Sequence, residues 1–523
     1  MTRRHLSIRL GLGTLAFAVA HPTVAKAWAP ATTQPGLVEK AALASRLHDK
    51  LTGPLGLALG LFEPLALPKP SAAAAAGLEP ERLTWLWQRL AALDPSAGNT
   101  PDSQGTNLAL NWLAAGAVIE NTPPERGRHH FLDPLSGRGL HDDPGLTGMA
   151  HSLRLALDGR GGVRGLATGT TFDLTGRPAL SWALAEDNEL GLPRFLTFLE
   201  RTASGETPEA RRAALVEALL SLGALGAVLA DMGEPAHVRN DFRGAYLRRG
   251  GGAGSWDRGS DFEAFVAARY GRAGVPSAAA PVERPTLSAF FTAPDGRGLA
   301  DETQRRFFSA GTVPENVAVD ANTTPLDVKV AANGSLTYPQ PRVDRLQLRR
   351  TGKQYLVSNG LRQLAYERVP GQVLFSLDEA VYLDTAEAWL PVVGSYVSGL
   401  FNQLIRVQVA IKVEHEGAGG RAEVTLLGFS GPARGELLMY AEDAAGIRRK
   451  IAAPVPFSAE ASSSSTENQA TGPTQIAENA PPARPSQVAL SLVLPPGVKR
   501  VAVSVRGQDA AGAFVGVGEH SAP

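Results

Sequence analysis

The stretch from Arg211 to Met232 constrains the fold most, because it has the length of a long helix and its second half is almost wholly apolar. The preceding Thr207-Pro208-Glu209 predicts a helix start, with a capping hydroxyl, a proline in the first turn and an acid beside it. After Val216 the stretch is apolar on nearly every side, which predicts a buried central helix. Gly233 and Pro235 end it. Such a helix requires a sizeable core around it.

Composition limits the chemistry that this fold can carry. The 523 residues favour at least two domains, and 44% apolar with 20% charged residues is typical of globular proteins. Lys plus Arg equals Asp plus Glu at 51 each, which argues against duplex DNA or an anionic membrane surface as a partner. Cysteine is absent, so a transition-metal site must use His, Asp and Glu, and the chain has ten histidines.

The N-terminus has the pattern of an export signal. Basic residues precede the apolar run Leu10–Ala20, and Ala25-Lys26-Ala27 places small residues where a signal peptidase reads them. We therefore predict that residues 1–27 are cleaved, that Trp28 begins the mature protein and that the protein is secreted or periplasmic. No later stretch reaches about twenty uninterrupted apolar residues, so no transmembrane anchor is expected in the mature chain.

The spacing of apolar residues changes after Leu404. Helical spacing prevails before that residue and ends in a helix predicted over 377–404, with Gly/Ala/Pro-rich loops between it and the central helix. Beyond it, apolar and polar residues alternate in about six short stretches. We predict a mainly α domain over 28–406 and a small antiparallel β-sandwich over 407–523. Residues 458–485, rich in Ser, Thr, Asn and Pro, predict an exposed disordered loop.

The most informative motif lies where the central helix ends. Asp231 stands at the end of the apolar run, where an ionised carboxylate needs a cation or hydrogen-bond donors to compensate for lost hydration. His237 follows the helix-ending turn and could fold back towards Asp231. The alternative is a carboxylate that is solvated at the rim of the helix.

Segment 229–241, together with Trp28, resembles the superfamily of zinc-dependent bacterial phospholipase C and fungal single-strand-specific nucleases. In that family the central helix ends in His-x-x-x-Asp and is followed by Pro-x-His. Residues 116–121 with 128–134, and the late helix over 389–400, agree with the family in order and spacing. The resemblance covers roughly residues 28–406 and leaves the β-region unexplained.

The resemblance implies a mostly helical domain with up to three zinc ions that activate a water to attack a phosphodiester. Its implied substrates are phospholipid head groups or single-stranded nucleic acid. The candidate catalytic carboxylates are Asp231 and Glu120. The candidate zinc ligands are Trp28, with its terminal amine, and the side chains of His130, Asp231, His237 and Glu263.

Four positions depart from the family's pattern. Asn121 stands where an Asp is expected, and Gln34, Ala227 and Gly259 stand where histidines are expected. Each implied site therefore lacks at least one ligand, which weakens zinc binding. Glu120 is adjacent to Asn121, but on a helix its side chain points about 100° away unless the helix ends there.

The matched residues also have structural interpretations. Trp28 could be a core aromatic, His130 a capping or packing histidine, and Glu263 an acid in the first turn of a helix. The Arg248–Gly254 tract indicates a flexible connector, because no Lys-Ser/Thr follows its glycines as in a P-loop.

Two functions remain open at this point. One is a secreted zinc-dependent phosphodiesterase of the phospholipase C or nuclease type, with metal-bound hydroxide as nucleophile. The other is a catalytically inactive secreted binding or structural protein that keeps the same scaffold with decayed metal sites.

Overall fold

The described part of the chain begins at Thr32, so the predicted signal, Trp28 and the Arg248–Gly254 tract lie outside it. The predicted loop 458–485 also lies outside it, except for Ser458 and Ala459. These two residues end a strand, so the predicted start of the loop at 458 is wrong. The computed structural model describes residues 32–73, 78–91, 93, 100–122, 124–141, 175–241, 260–313, 317–318, 347–351, 353–369, 372–416, 419–459, 486–492 and 498–521.

Helices dominate the described residues up to Leu404, and antiparallel sheets dominate the rest. The α-helices are α1 (Thr33–Ala44), α2 (Leu47–Thr52), α3 (Pro80–Leu90), α4 (Ala109–Ile119), α5 (Ala179–Ala183), α6 (Leu192–Ser204), α7 (Pro208–Ala230), α8 (Asp261–Tyr270), α9 (Leu287–Phe291), α10 (Leu299–Arg306) and α11 (Glu379–Leu404). The short strands β1 (Pro64–Ala66) and β2 (Thr106–Leu108) pair with each other.

The central helix α7 is confirmed as a buried core helix. Its start is capped as predicted, because the Thr207 hydroxyl accepts a hydrogen bond from the Ala210 amide at 3.1 Å. Every residue from Ala213 to Ala230 is buried. Among the described helices, this segment with the turn after it is the one long and apolar enough to cross a membrane, and its apolar window is wholly enclosed by protein.

Two glycines allow α4 and α7 to pack backbone against backbone. A Cβ atom at Gly116 would lie 2.0 Å from the Leu220 carbonyl oxygen, and one at Gly223 would lie 1.9 Å from the Leu113 carbonyl oxygen. Both distances are far inside van der Waals contact, so neither position has room for a side chain. Leu113 lies opposite Gly223, and Gly116 lies opposite Leu220. The two helices therefore run in opposite directions.

A sheet occupies part of the region where the sequence predicts loops. Its order is β3-β7-β6-β5-β4, and all neighbours are antiparallel. Asn359-Gly360 joins two of its strands, and both residues have the positive φ that a tight hairpin turn requires. The strands are β3 (Val317–Ala318), β4 (Gln347–Thr351), β5 (Lys353–Ser358), β6 (Leu361–Val369) and β7 (Gln372–Ser376).

The predicted change from helix to strand after Leu404 is confirmed. Strands β10, β11, β12, β14 and β15 form one antiparallel sheet, and β13, β9 and β8 form another. Both sheets contribute side chains to one apolar cluster. The strands are β8 (Gln408–Glu416), β9 (Gly419–Leu427), β10 (Ala433–Glu442), β11 (Arg448–Lys450), β12 (Val455–Ala459), β13 (Ser486–Leu492), β14 (Arg500–Asp509) and β15 (Gly512–Ser521).

The β-region packs directly onto the helices. Val515 and Val517 of β15 belong to the same apolar core as the helical residues. Arg448 of β11 donates from Nη1 to the backbone carbonyls of Thr202 and Ala203, at 3.3 and 3.0 Å. The helical and β parts therefore share both apolar and polar contacts.

Candidate functional site

His130 lies between two buried carboxylates. Its Nδ1 is 2.6 Å from Asp231 Oδ2, and its Nε2 is 3.5 Å from Glu120 Oε1. None of the three side chains is exposed. The alternative of a solvated carboxylate at the rim of the helix is therefore wrong for Asp231.

Glu120 reaches this position because α4 ends one residue before it, at Ile119. Arg126 Nη2 donates to Glu120 Oε2 at 2.7 Å, and Arg126 Nε donates to the Glu120 carbonyl at 3.1 Å. Trp182 Nε1 donates to the other carboxylate oxygen at 2.7 Å. Both carboxylate oxygens of Glu120 are thus occupied by protein donors.

Two amides complete the cluster on the other side of Asp231. Gln34 Nε2 lies 3.3 and 3.4 Å from the two carboxylate oxygens of Asp231. Asn121 Nδ2 in turn donates to Gln34 Oε1 at 2.6 Å. Gln34 and Asn121, two of the four positions that depart from the resembled pattern, bind each other here. We call Gln34, Glu120, Asn121, Arg126, His130 and Asp231 the polar cluster.

The polar cluster balances its charges internally. Burial favours the neutral form of His130, but hydrogen bonds and charges from Asp231 and Glu120 raise its pKa to about 9. Burial raises the pKa of Asp231 to about 6, against the stabilising effect of His130. Burial likewise opposes ionisation of Glu120, yet Arg126 and His130 hold its pKa below the usual value. At pH 7 two anions therefore face two cations.

We expect thermal stability to fall as pH rises from 6.5 to 8, above which the buried Lys50, whose pKa burial lowers to about 8, acts in the opposite direction. His130 loses its proton near pH 6.5 when unfolded and near pH 9 when folded, so its contribution is complete below 6.5 and lost as pH rises through 9. Burial raises the pKa of Glu234 to about 8, so the folded chain keeps a proton on this carboxyl that the unfolded chain has lost. This difference also lowers stability as pH rises towards 8. Calorimetry in steps across this range measures the effect, and His130→Gln should flatten it. A constant or rising Tm would contradict the protonated state of His130.

His237 lies beside the polar cluster as a neutral ring. Its Nδ1 donates to the His130 carbonyl at 2.8 Å, and its ring stacks on Phe131 with centroids 4.2 Å apart. Burial lowers the pKa of His237 to about 3. Its Nε2 is 4.0 Å from Glu263 Oε1, which is beyond hydrogen-bond distance.

Glu263 has the structural role that the sequence left open. Its backbone amide donates to the Ser260 hydroxyl at 3.0 Å, and its Oε2 accepts from the Ser260 amide at 2.6 Å, which forms a capping box at the start of α8. The Ser260 hydroxyl also donates to Glu234 Oε1 at 2.8 Å. Ser260 therefore links Glu263 to the turn that carries His237.

The structure brings three of the candidate residues into one cluster and places two beside it. Glu120, His130 and Asp231 meet, and His237 and Glu263 lie next to them, whereas Trp28 lies outside the described residues. Arg126 and Trp182 also belong to the site but are not among the residues predicted from the sequence. Both reach Glu120 through tertiary contacts, at sequence separations of 6 and 62, and no local pattern marks them.

Comparisons with known proteins give only distant likenesses. No family model matches the chain, and no curated protein matches it. Among solved structures, alpha toxin from Clostridium absonum is 10% identical with a TM-score of 0.23, and 96% of each chain is covered. Clostridium perfringens alpha-toxin from an avian strain is 11% identical with a TM-score of 0.22, covering 95% of this chain and 99% of that one. At TM-scores this low, neither likeness defines a shared fold or site.

Proposed function

We propose that this chain is a secreted or periplasmic, catalytically inactive binding or structural protein built on a zinc-phospholipase C-like scaffold. In this proposal the polar cluster replaces the zinc centre. One observation carries it: the 2.6 Å contact between His130 and Asp231, with the Gln34 amide on the same carboxylate. The export pattern before Trp28 supports the location.

The donor set does not fit a zinc ion. Zinc binds neutral imidazole and ionised carboxylate, usually in tetrahedral geometry. His130 Nδ1 is bound to Asp231, and the guanidinium of Arg126 already neutralises Glu120. The amides at 34 and 121 supply neither a nitrogen lone pair nor negative charge. A zinc ion would have to break the contact of Asp231 with His130 and those of Glu120 with Arg126 and Trp182.

We also propose that the scaffold spans residues 28–406 and that residues 407–523 form a β-sandwich. The apolar cluster shared by the two C-terminal sheets supports the sandwich. Phospholipid head groups or single-stranded nucleic acid are the proposed ligands of the scaffold, because the resembled family acts on them.

An assay of phosphodiester hydrolysis tests the proposed function. The mature chain, beginning at Trp28, is incubated with bis(p-nitrophenyl) phosphate in zinc buffer and in chelator. We expect no turnover that depends on zinc, because the side chains that would hold a zinc ion are engaged with each other. Zinc-dependent turnover that disappears in His130→Ala would contradict the proposal and favour a zinc phosphodiesterase.

A variant that restores two family ligands is the matched comparison. Asn121→Asp removes the amide donor to Gln34, and Ala227→His places an imidazole one helical turn before Asp231 on α7. The double variant should bind more zinc than the natural sequence in the same buffer. Equal zinc binding by both proteins would show that these replacements are not what altered the site.

A further inference from the structure

Arginines and aromatic rings alternate across the surface that helices α3 and α6 share. On α3, the guanidinium carbons of Arg82 and Arg89 lie over the Trp85 ring, 4.6 and 4.0 Å from its centroid. On α6, the Phe198 ring has Arg201 at 5.4 Å and Arg82 at 5.7 Å. Arg82 therefore connects the two helices, and Arg89 and Arg201 lie at the two ends of the row.

Arg194 extends this surface along α6. It lies seven residues before Arg201, so both arginines lie on one side of the helix, about 10 Å apart. Arg82 and Arg89 have the same spacing on α3. Burial raises the pKa of Glu217, a rise that is opposed by Arg82, Arg201 and Arg194. Three of the four arginines thus lie near one buried carboxylate. We call Arg82, Arg89, Arg194 and Arg201 the arginine face.

The arginine face has an excess of positive charge, although the whole chain is neutral. Among the described residues, only Arg82 of the four pairs with a carboxylate, that of Glu217 at 2.7 Å. Arg89 Nε is buried without a hydrogen-bond acceptor. Glu200 of α6 contacts Arg506 of β14 instead, at 3.6 Å. A local excess of this kind attracts anions even when the net charge is zero.

The three unpaired arginines can be reached from solvent. Arg194 and Arg201 are exposed, and Arg89 is partly exposed. Burial lowers the pKa of Arg89, and so does the charge of Arg126, against the opposing effect of Glu189. An anion bound beside Arg89 would offset both the lost hydration and the repulsion between the two guanidiniums, because a guanidinium forms paired hydrogen bonds with an oxyanion.

The rings of this surface offer no platform for a nucleobase. Trp85 is already stacked with two guanidiniums, and Phe198 is 3% exposed. Proteins that bind single-stranded nucleic acid gain much of their affinity from bases that stack on free aromatic rings. The arginine face offers guanidinium donors instead, and it therefore favours a polyanion without bases.

We infer that the arginine face binds a linear sulfated polysaccharide. Such a chain carries oxyanions at intervals along a backbone of sugar rings, so it can contact arginines that are about 10 Å apart on each of two helices. This inference goes beyond the proposed function, because it concerns a surface ligand that contains neither a phosphodiester nor zinc. Its test does not depend on the state of the polar cluster.

Titration with heparin tests the inference on the mature chain. Dextran serves as the uncharged polysaccharide, and oligo(dT) of equal charge serves as a polyanion that carries bases. Binding is measured by calorimetry at about 50 mM salt, where screening is weak, and again at higher salt. We expect heparin to bind, dextran not to bind and oligo(dT) to bind more weakly than heparin. The affinity for heparin should fall as salt rises.

The double variant Arg89→Gln, Arg201→Gln assigns that binding to the arginine face. It should bind heparin about tenfold more weakly, as expected for the loss of two exposed ion pairs. Tm should stay nearly unchanged, because both side chains contact aromatic rings and neither forms an ion pair within the described residues. Arg434→Gln, Arg449→Gln, at exposed positions of β10 and β11, removes the same charge and should leave the heparin affinity nearly unchanged.

Three results would overturn the inference. The first is that heparin does not bind to the folded chain even at low salt. The second is that oligo(dT) binds as tightly as heparin or more tightly, which would indicate a surface for nucleic acid. The third is that the two double variants bind heparin equally well, which would show that total charge or another surface determines the binding.

Discussion

Replacing Asp231 with alanine is expected to lower the free energy of unfolding by about 3–5 kcal/mol, because removing one partner of a buried ion pair leaves the other charge uncompensated. Asp231 accepts from both His130 and Gln34, and none of these side chains is exposed. The variant therefore leaves the His130 imidazolium and the Gln34 amide in the core without their shared acceptor. Urea unfolding, monitored by tryptophan fluorescence, measures the change.

Asp187→Ala is the matched control for this variant. Asp187 also pairs with a cation, Arg177, but the two side chains are 64% and 48% exposed. Exposed pairs of this kind contribute little, so this control should leave the urea midpoint nearly unchanged. An Asp231→Ala variant as stable as the control would mean that the polar cluster does not hold the core together.

Replacing Arg448 with alanine is expected to cost about 3 kcal/mol, again because buried partners lose their counterion. Arg448 binds Glu442 at 2.7 Å and Glu519 at 2.6 Å, and its side chain is 1% exposed. Arg211 and Arg500 still contact these acids, which limits the loss. Because Arg448 joins the β-region to α6, we expect the variant to loosen that junction and to expose Val515 and Val517.

Arg506→Ala provides the comparison within the same sheet. Arg506 also reaches α6, through Glu200 at 3.6 Å, and pairs with Glu436 at 3.0 Å, but its own side chain is about half exposed. The expected change in stability is below about 1 kcal/mol. Binding of a hydrophobic dye should rise in Arg448→Ala and remain unchanged in Arg506→Ala. Dye binding in Arg448→Ala that stays as low as in Arg506→Ala would show that the buried contacts of Arg448 do not hold the junction together.

The elements that the sequence predicts well carry their signal locally. Helix α7 is recognisable because its cap, its proline and its all-round apolar surface are contiguous, and the β-region because alternation persists over whole strands. The hairpin of β5 and β6 carries the Asn359-Gly360 signal, but the prediction of loops in this region overlooked it. The two-residue error at Ser458 arises because a polar composition does not distinguish an edge strand from a loop.

The candidate site is predictable only in part, for a related reason. Motif spacing finds His130, Asp231 and His237, because the chain order of these residues matches a known pattern. Arg126, the partner of Glu120, lies instead in the short helix Pro124–His129. Its position is fixed by Asn188 and Glu189, which are 62 and 63 residues away in the sequence. Contacts over such distances leave no local sequence pattern.

The central claim is that the polar cluster stands in place of a zinc centre, and the zinc content of the purified chain tests it most directly. The chain is produced with Trp28 at its N-terminus, equilibrated with zinc, dialysed and measured by elemental analysis beside Asp231→Asn. We predict less than one zinc ion per chain and no difference between the two proteins. One or more ions retained by the natural sequence and lost in Asp231→Asn would contradict the account.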